Sequence, residues 1–266
     1  MLELGDGQFL FKDKGVLLTT IALSRRSYEK DRMISSYGRT EDIPVGSLLQ
    51  MTYGKELDNA PHSHYLGMGY AKGQYYGKTG YFQFNFSAGG FIHDHMIREG
   101  VVKTNLSCFS YLMYFKNWSM RQFIQLNYVH GIRVMANEYL GWNDESGIRG
   151  LKPPLIPAKQ RVNLQTESVV YTNLYLLGFR TAFFAFADFG FLGTDKSFFY
   201  KDNFYHGYGL GLRLKNDNIA TSIFQIRLAF YPHAPGQSQF KFQASEKPSW
   251  NLRDFDLKAT QIIAFE

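Results

Sequence analysis

The chain has 266 residues, with 29 Lys and Arg against 23 Asp and Glu (formal charge +6), and 45% of it is hydrophobic and 17% aromatic. It is too apolar and too weakly charged for a disordered chain, and Cys108 as sole cysteine excludes a disulfide scaffold. A mean hydropathy of -0.26 and no apolar run near the ~18 residues of a spanning helix exclude a helical membrane bundle.

The first residues, Met1-Leu2-Glu3-Leu4-Gly5-Asp6-Gly7, hold no basic segment followed by an apolar one, so no secretory signal is read there. The expectation is a cytoplasmic protein or a piece of a longer precursor. Beyond them, alternation of polar and apolar residues recurs along the chain and predicts strands near 15–26, 47–57, 64–76, 80–92, 99–115, 117–134, 159–173, 181–191, 206–216, 220–232 and 239–246. A further strand is expected around 28–37, and the tail 256–266 as a short strand or a packed extension. Phe82, Phe84 and Phe86 share one face, opposite Gln83, Asn85 and Ser87. Arg161, Asn163, Gln165 and Glu167 share a polar face, and Gly207, Gly209, Gly211, Arg213 and Lys215 lie opposite Tyr208, Leu210, Leu212 and Leu214. Phe224, Ile226, Leu228 and Phe230 alternate with Gln225, Arg227 and Ala229. Short turns are expected at Gly77-Lys78-Thr79, at Lys116-Asn117, around Gly178 and at Asn216-Asp217-Asn218. Longer loops are expected at 57–63, 93–98, 135–158, 192–205 and 233–238.

Periodicity alone does not say which solvent meets the apolar face. In a soluble sandwich or lipocalin-like barrel it points to a dry core; in a membrane barrel it points to lipid, and the polar face lines the interior. Charged Arg161, Glu167, Arg213 and Arg227 stand in mid-strand on the polar faces. Aromatics gather near strand ends at Tyr75-Tyr76, Tyr81, Tyr111, Tyr114-Phe115 and Phe198-Phe199-Tyr200, as an interfacial belt requires. Alternating short turns and long loops is also the habit of outer-membrane barrels. The expected fold is therefore all-β, an antiparallel transmembrane β-barrel of about 11 or 12 strands.

Residues 146–190 carry an ordered set: Gly147-Ile148-Arg149-Gly150-Leu151, then Glu167 on a polar strand face, then Phe186-Ala187-Asp188-Phe189-Gly190. This set resembles the outer-membrane assembly and translocation barrels, the BamA/TamA-like bacterial surface antigen superfamily, whose hallmark is an R-G-F/Y loop tip and an F-x-D-x-G strand. Gly207–Lys215 looks like that family's glycine-rich penultimate region, and Thr40-Glu41-Asp42-Ile43-Pro44-Val45-Gly46 also resembles it. The likeness covers roughly residues 40–245; the chain departs from the pattern at Leu151, where the family usually has an aromatic. The resemblance implies an inward-folded loop, and an Arg at its tip needs carboxylates, because an unpaired buried charge costs several kcal/mol while two carboxylates satisfy a guanidinium with charge-assisted bonds. Arg149, flanked by Gly147 and Gly150, is read as a loop lock, with Glu167 and Asp188 as receptors and Phe186 and Gly190 as part of the receiving strand.

The resemblance further implies a bacterial outer-membrane location and a non-enzymatic role in inserting or translocating proteins or lipids. Its partners would be outer-membrane lipids, client outer-membrane or secreted proteins, and periplasmic or lipoprotein accessory subunits. Because such barrels have about sixteen strands and usually follow POTRA domains, the chain is expected to be the C-terminal portion of a longer protein or a smaller barrel. The alternative is a barrel serving as anchor or passive pore, for example for an upstream patatin-like lipase domain. A soluble barrel binding an apolar ligand is a third reading.

Other constellations carry less. His62-x-His64 and His93-Asp94-His95 lack the third and fourth ligands of a zinc site and read as loop histidines. There is no nucleophile elbow or phosphate loop, so neither enzyme nor cofactor is expected. The scattered Lys and Arg form no basic run, which speaks against nucleic acid. Cys108 falls in phase with Thr104 and Leu106, on the apolar side of its strand.

Overall fold

The computed structural model describes residues 15–34, 37, 40–57, 63–94, 96–134, 140–141, 147–151, 158–194, 204–216, 223–234, 236–245, 252 and 254–265. Among these the chain is all-β. The strands are β1 (Val16–Arg32), β2 (Thr40–Glu56), β3 (His64–Tyr76), β4 (Gly80–His93), β5 (Met96–Ser110), β6 (Met113–Tyr114), β7 (Trp118–Ile132), β8 (Gln160–Leu176), β9 (Phe179–Gly193), β10 (Phe204–Lys215), β11 (Ile223–Phe230) and β12 (Phe240–Ser245). They form one antiparallel sheet in chain order, with the two-residue β6 as a side branch on β7. The sheet does not close, since β1 and β12 stand at its two ends.

The long strands follow from unbroken alternation, and the tight turns from local backbone geometry. Leu177 and Gly178, both at positive φ (50° and 82°), join β8 to β9 in the two-residue turn that matches strand twist. The loop expected at 93–98 is instead a tight reversal. Asp94 takes φ 49° and β5 already starts at Met96. The strand survives there because an irregularity between Gly89 and Phe91, with Glu99 at φ 51°, absorbs the break in register. The strand expected around 28–37 is not separate as far as Arg32: β1 continues without interruption to that residue against β2. Tyr111 and Leu112 interrupt the run expected at 99–115.

The two faces of the sheet differ in an unusual sense. Phe82, Leu164 and Leu210 are exposed, Leu210 by 67%, while Gln83, Asn163, Arg213 and Arg227 on the opposite face are buried. The outer apolar face continues through Leu23, Met51, Met68, Ile124, Phe183, Leu228 and Phe242, all exposed. Polar side chains on the outer side pair with one another: Gln122 donates to Thr166 Oγ1 (2.6 Å) and accepts from Ser168 across β7 and β8. Cys108 sits on this outer side between Phe82 and Ile124. On the inner side, facing amides form a ladder. Asn85 donates to Asn105 (3.0 Å) and Asn105 to Asn127 (2.6 Å).

Several described residues outside the strands pack on the inner face. At the β1–β2 connection, Asp31, Met33 and Tyr37 contact side chains of the inner face. Asp31 receives two hydrogen bonds from the buried Arg121 of β7 (2.9 and 3.0 Å) and one from Tyr75 (2.7 Å). Tyr171 of β8 donates to Met33 O (2.6 Å), and Tyr37 meets the Tyr171 ring edge-on at 5.4 Å. Ile34, Tyr37 and Ile43 thereby join a buried cluster with Phe109, Phe123 and Val169. Of the aromatics expected in a belt, Tyr76, Tyr111, Tyr114 and Phe115 are exposed. Tyr81 is buried instead, donating to Pro44 O (2.6 Å), and Tyr75 is turned inward onto Asp31, because the inward hairpin offers both phenols an acceptor. Phe198, Phe199 and Tyr200 lie outside the described residues.

Candidate functional site: the inward loop tip and its charged receptor

Between β7 and β8, the described residues Gly147–Leu151 lie against the inner face and are buried throughout. Every main-chain carbonyl from Gly147 to Gly150 has a partner. Asn163 and Gln165 of β8 donate to Gly147 O (3.0 and 2.7 Å), and Leu151 N closes a turn on Ile148 O (3.0 Å). Tyr231 donates to Arg149 O, and Lys241 of β12 donates to Gly150 O (2.9 Å). Gly150 takes φ 79°, and a Cβ there would stand 2.5 Å from Gln243 Oε1, so the tip requires glycine in conformation and in space.

Arg149, 4% exposed, points into a pocket of two carboxylates. Its Nε and Nη2 meet Asp188 of β9 (2.9 and 2.6 Å), its Nη1 meets Glu167 of β8 (2.6 Å), and its own main-chain N–H donates to Asp188 (3.0 Å). Nη2 also reaches Thr166 O (3.2 Å). The fork of N–H groups that distinguishes Arg from Lys is thus almost fully used. Burial works against the charge of this guanidinium, yet Asp188 and then Glu167 more than offset it and hold its pKa above the ordinary value.

Glu167 is shared. Arg213 of β10 meets it at 2.8 and 3.0 Å and also donates to Gln225 of β11 (3.2 Å). Two buried guanidinium groups therefore flank one buried carboxylate, with Asp188 supplying the second negative charge. Beneath them lie aromatic platforms: Arg149 stands 4.3 Å over the Phe186 ring and Arg213 4.3 Å over Phe184. The rings lie flat because β10 offers glycines. A Cβ on Gly209 would stand 2.4 Å from the Phe186 ring, and one on Gly211 2.2 Å from Phe184. Gly190 completes the receiving strand, buried beside Asn163 and Tyr205 in the inner row.

The structure thus brings together Gly147, Arg149, Gly150, Glu167, Phe186 and Asp188 around one buried charge cluster. Leu151, where the sequence departs from the R-G-F/Y pattern, is buried in the main apolar cluster. Arg213, Phe184, Tyr231, Lys241, Asn163 and Gln165 were not singled out for the site from sequence. Their shared phase on the polar faces was the available signal for Arg213, Asn163 and Gln165. His64 pairs with Tyr53 (2.8 Å) and His93 with Asp94 (3.1 Å), while His62 and His95 lie outside the described residues. No cluster of three or more metal-ligating side chains occurs among the described residues. The arrangement can hold a loop in place against the wall.

The fold and this site define a class in physical terms: an antiparallel sheet with an apolar outer face and a polar, loop-filled inner face. No protein-family model matches the chain, and no curated protein matches it.

Proposed function

We infer that the chain is an outer-membrane β-barrel, or most of one, of the assembly and translocation class, and that Arg149 acts as an interior lock that braces the wall. One observation carries this reading: one face of the sheet is lined by exposed apolar side chains such as Leu23, Met51, Leu210 and Leu228, while mid-strand charged and amide side chains such as Gln83, Asn163, Arg213 and Arg227 are buried on the other face together with aromatic residues, an arrangement foreign to a water-soluble sandwich. Strands of 12–17 residues in the main body have ample length for a tilted crossing, which takes about 9–11. The self-satisfied Gln122, Thr166 and Ser168 suit a surface without water to serve them. The unpaired edges of β1 and β12 suit a seam that recruits client strands by β-augmentation, with no nucleotide required.

The test is reconstitution into vesicles followed by the addition of an unfolded outer-membrane barrel protein as client. The reading predicts that folded, protease-resistant client accumulates several-fold faster than on empty vesicles, and that Arg149→Ala abolishes most of the gain. Stable membrane insertion without any acceleration would favour the anchor role; failure to insert would end the membrane reading itself.

A further inference from the structure

The last described segment, residues 254–265, forms no strand, yet it is not loose. It runs along the inner face from β1 toward β7. Phe255 is fully buried in a pocket with Leu48 and Ala71, packed against Ala22. The pocket exists because β3 has Gly73 there: a Cβ would stand 2.6 Å from the Phe255 ring. Ser24 donates to Phe255 O (2.7 Å). Asp254 and Asp256 meet Arg26 (3.4 and 3.0 Å), and Tyr28 donates to Asp254 (3.2 Å). Further on, Ile263 N donates to the Tyr65 hydroxyl (3.0 Å), its side chain lies over Gly89, and the Phe265 ring lies over Gly131, where a Cβ would stand 2.5 Å away.

Three features set this contact apart from ordinary packing. The segment is fixed by side chains of the wall, not by ladder hydrogen bonds, so leaving does not break a sheet. Its ion pairs are at the solvent edge, where such pairs hold weakly. The wall beneath it is a track of small residues, Ala71, Gly73, Gly89 and Gly131, that leaves depressions for large side chains. The chain leaves β12 at Ser245, at one end of the sheet, and Asp254 lies on β1, at the other end.

We propose that the inner face of β1–β4 is a binding groove for an extended peptide with an aromatic anchor beside acidic residues, occupied in cis by residues 254–265 and open to exchange. Phe255 sets the register, Arg26 and Tyr28 read the flanking carboxylates, and Tyr65 takes a main-chain N–H eight residues on. The linked segment competes at a high effective concentration, so the groove is available to another chain only when the segment is weakened.

The experiment uses the full chain in detergent and a fluorescent synthetic peptide of residues 252–265, so its outcome is independent of membrane insertion. The wild-type chain takes up the peptide weakly. Phe255→Ala in the chain raises peptide affinity at least about tenfold, and a peptide carrying the same substitution loses that gain. Should Phe255→Ala impair folding, the exposed pair Asp254→Asn with Asp256→Asn gives the second arm: faster amide exchange at Ile263 and several-fold greater uptake. Equal uptake by wild type and both variants, no uptake by the weakened chains, or equal binding of the peptide without its aromatic overturns the proposal.

Discussion

Removing Asp188 tests the loop lock most sharply. In the native structure its fully buried carboxylate takes three guanidinium contacts and one main-chain N–H from Arg149. Asp188→Ala leaves Arg149 with Glu167, which Arg213 already claims, and converts a balanced cluster of two cations and two anions into one with excess positive charge. Truncating one partner of a buried pair costs about 3–5 kcal/mol, much of it the cost of the stranded charge. Arg149→Ala should cost a similar amount, since Asp188 is then buried without its partner. The double variant should cost little more than either single one, giving a coupling of about 3 kcal/mol or more. Urea unfolding of the detergent-solubilised protein, followed by tryptophan fluorescence, measures all four states of the cycle. Costs that add to within about 0.5 kcal/mol would refute the argument that these groups act as one unit.

Further expectations follow from neighbouring geometry. Arg149→Lys should recover only a minor part of the loss in the same unfolding assay, because one ammonium cannot span both carboxylates. Gly209→Ala should destabilise by about 1–3 kcal/mol, because the new methyl drives into the Phe186 ring, and limited proteolysis should then cut more readily in the 135–158 loop. At the hairpin tip, Asp31→Ala should cost more in unfolding free energy than Arg121→Ala. The first strands the fully buried Arg121, whereas the second leaves Asp31 with partial access to water and the Tyr75 hydroxyl. Leu210→Arg should change stability in detergent very little but impair insertion into vesicles, because Arg at the bilayer midplane costs about 2–4 kcal/mol.

The alternation of Tyr208, Leu210 and Leu212 with Gly209, Gly211 and Arg213 was enough to place strands and to sort side chains onto two faces, since a period of two is a local property. It also put Glu167 and Asp188 on the polar strand faces, whereas the inward course of the loop that brings Arg149 to them was implied only by the resemblance to the assembly and translocation barrels. What it could not show was contact between distant strands. The pairing of Asp31 with Arg121 depends on the first hairpin curling across the interior, which no local pattern encodes. Tyr75 and Tyr81 look like belt residues in sequence, because an aromatic near a strand end carries no mark of which way it faces. The role of Gly209 and Gly211 as seats for Phe186 and Phe184 emerges only from the register of β9 on β10. Residues 254–265 hold no period, and their burial comes wholly from the wall they meet. At 93–98 the polar run His93-Asp94-His95 suggested a loop, but one positive-φ turn and an irregular register were sufficient to keep both strands intact.

The direction in which the apolar face looks underlies the rest, and site-directed spin labelling in lipid bilayers measures it. With Cys108 replaced by Ser, single labels at Phe82, Leu164 and Leu210 should be relaxed strongly by oxygen and weakly by a water-soluble nickel chelate. Labels at Gln83 and Asn163 should show less oxygen access than these three. Free access of the nickel chelate to all three outer labels, in a protein that stays dispersed without detergent, would contradict a lipid-facing surface.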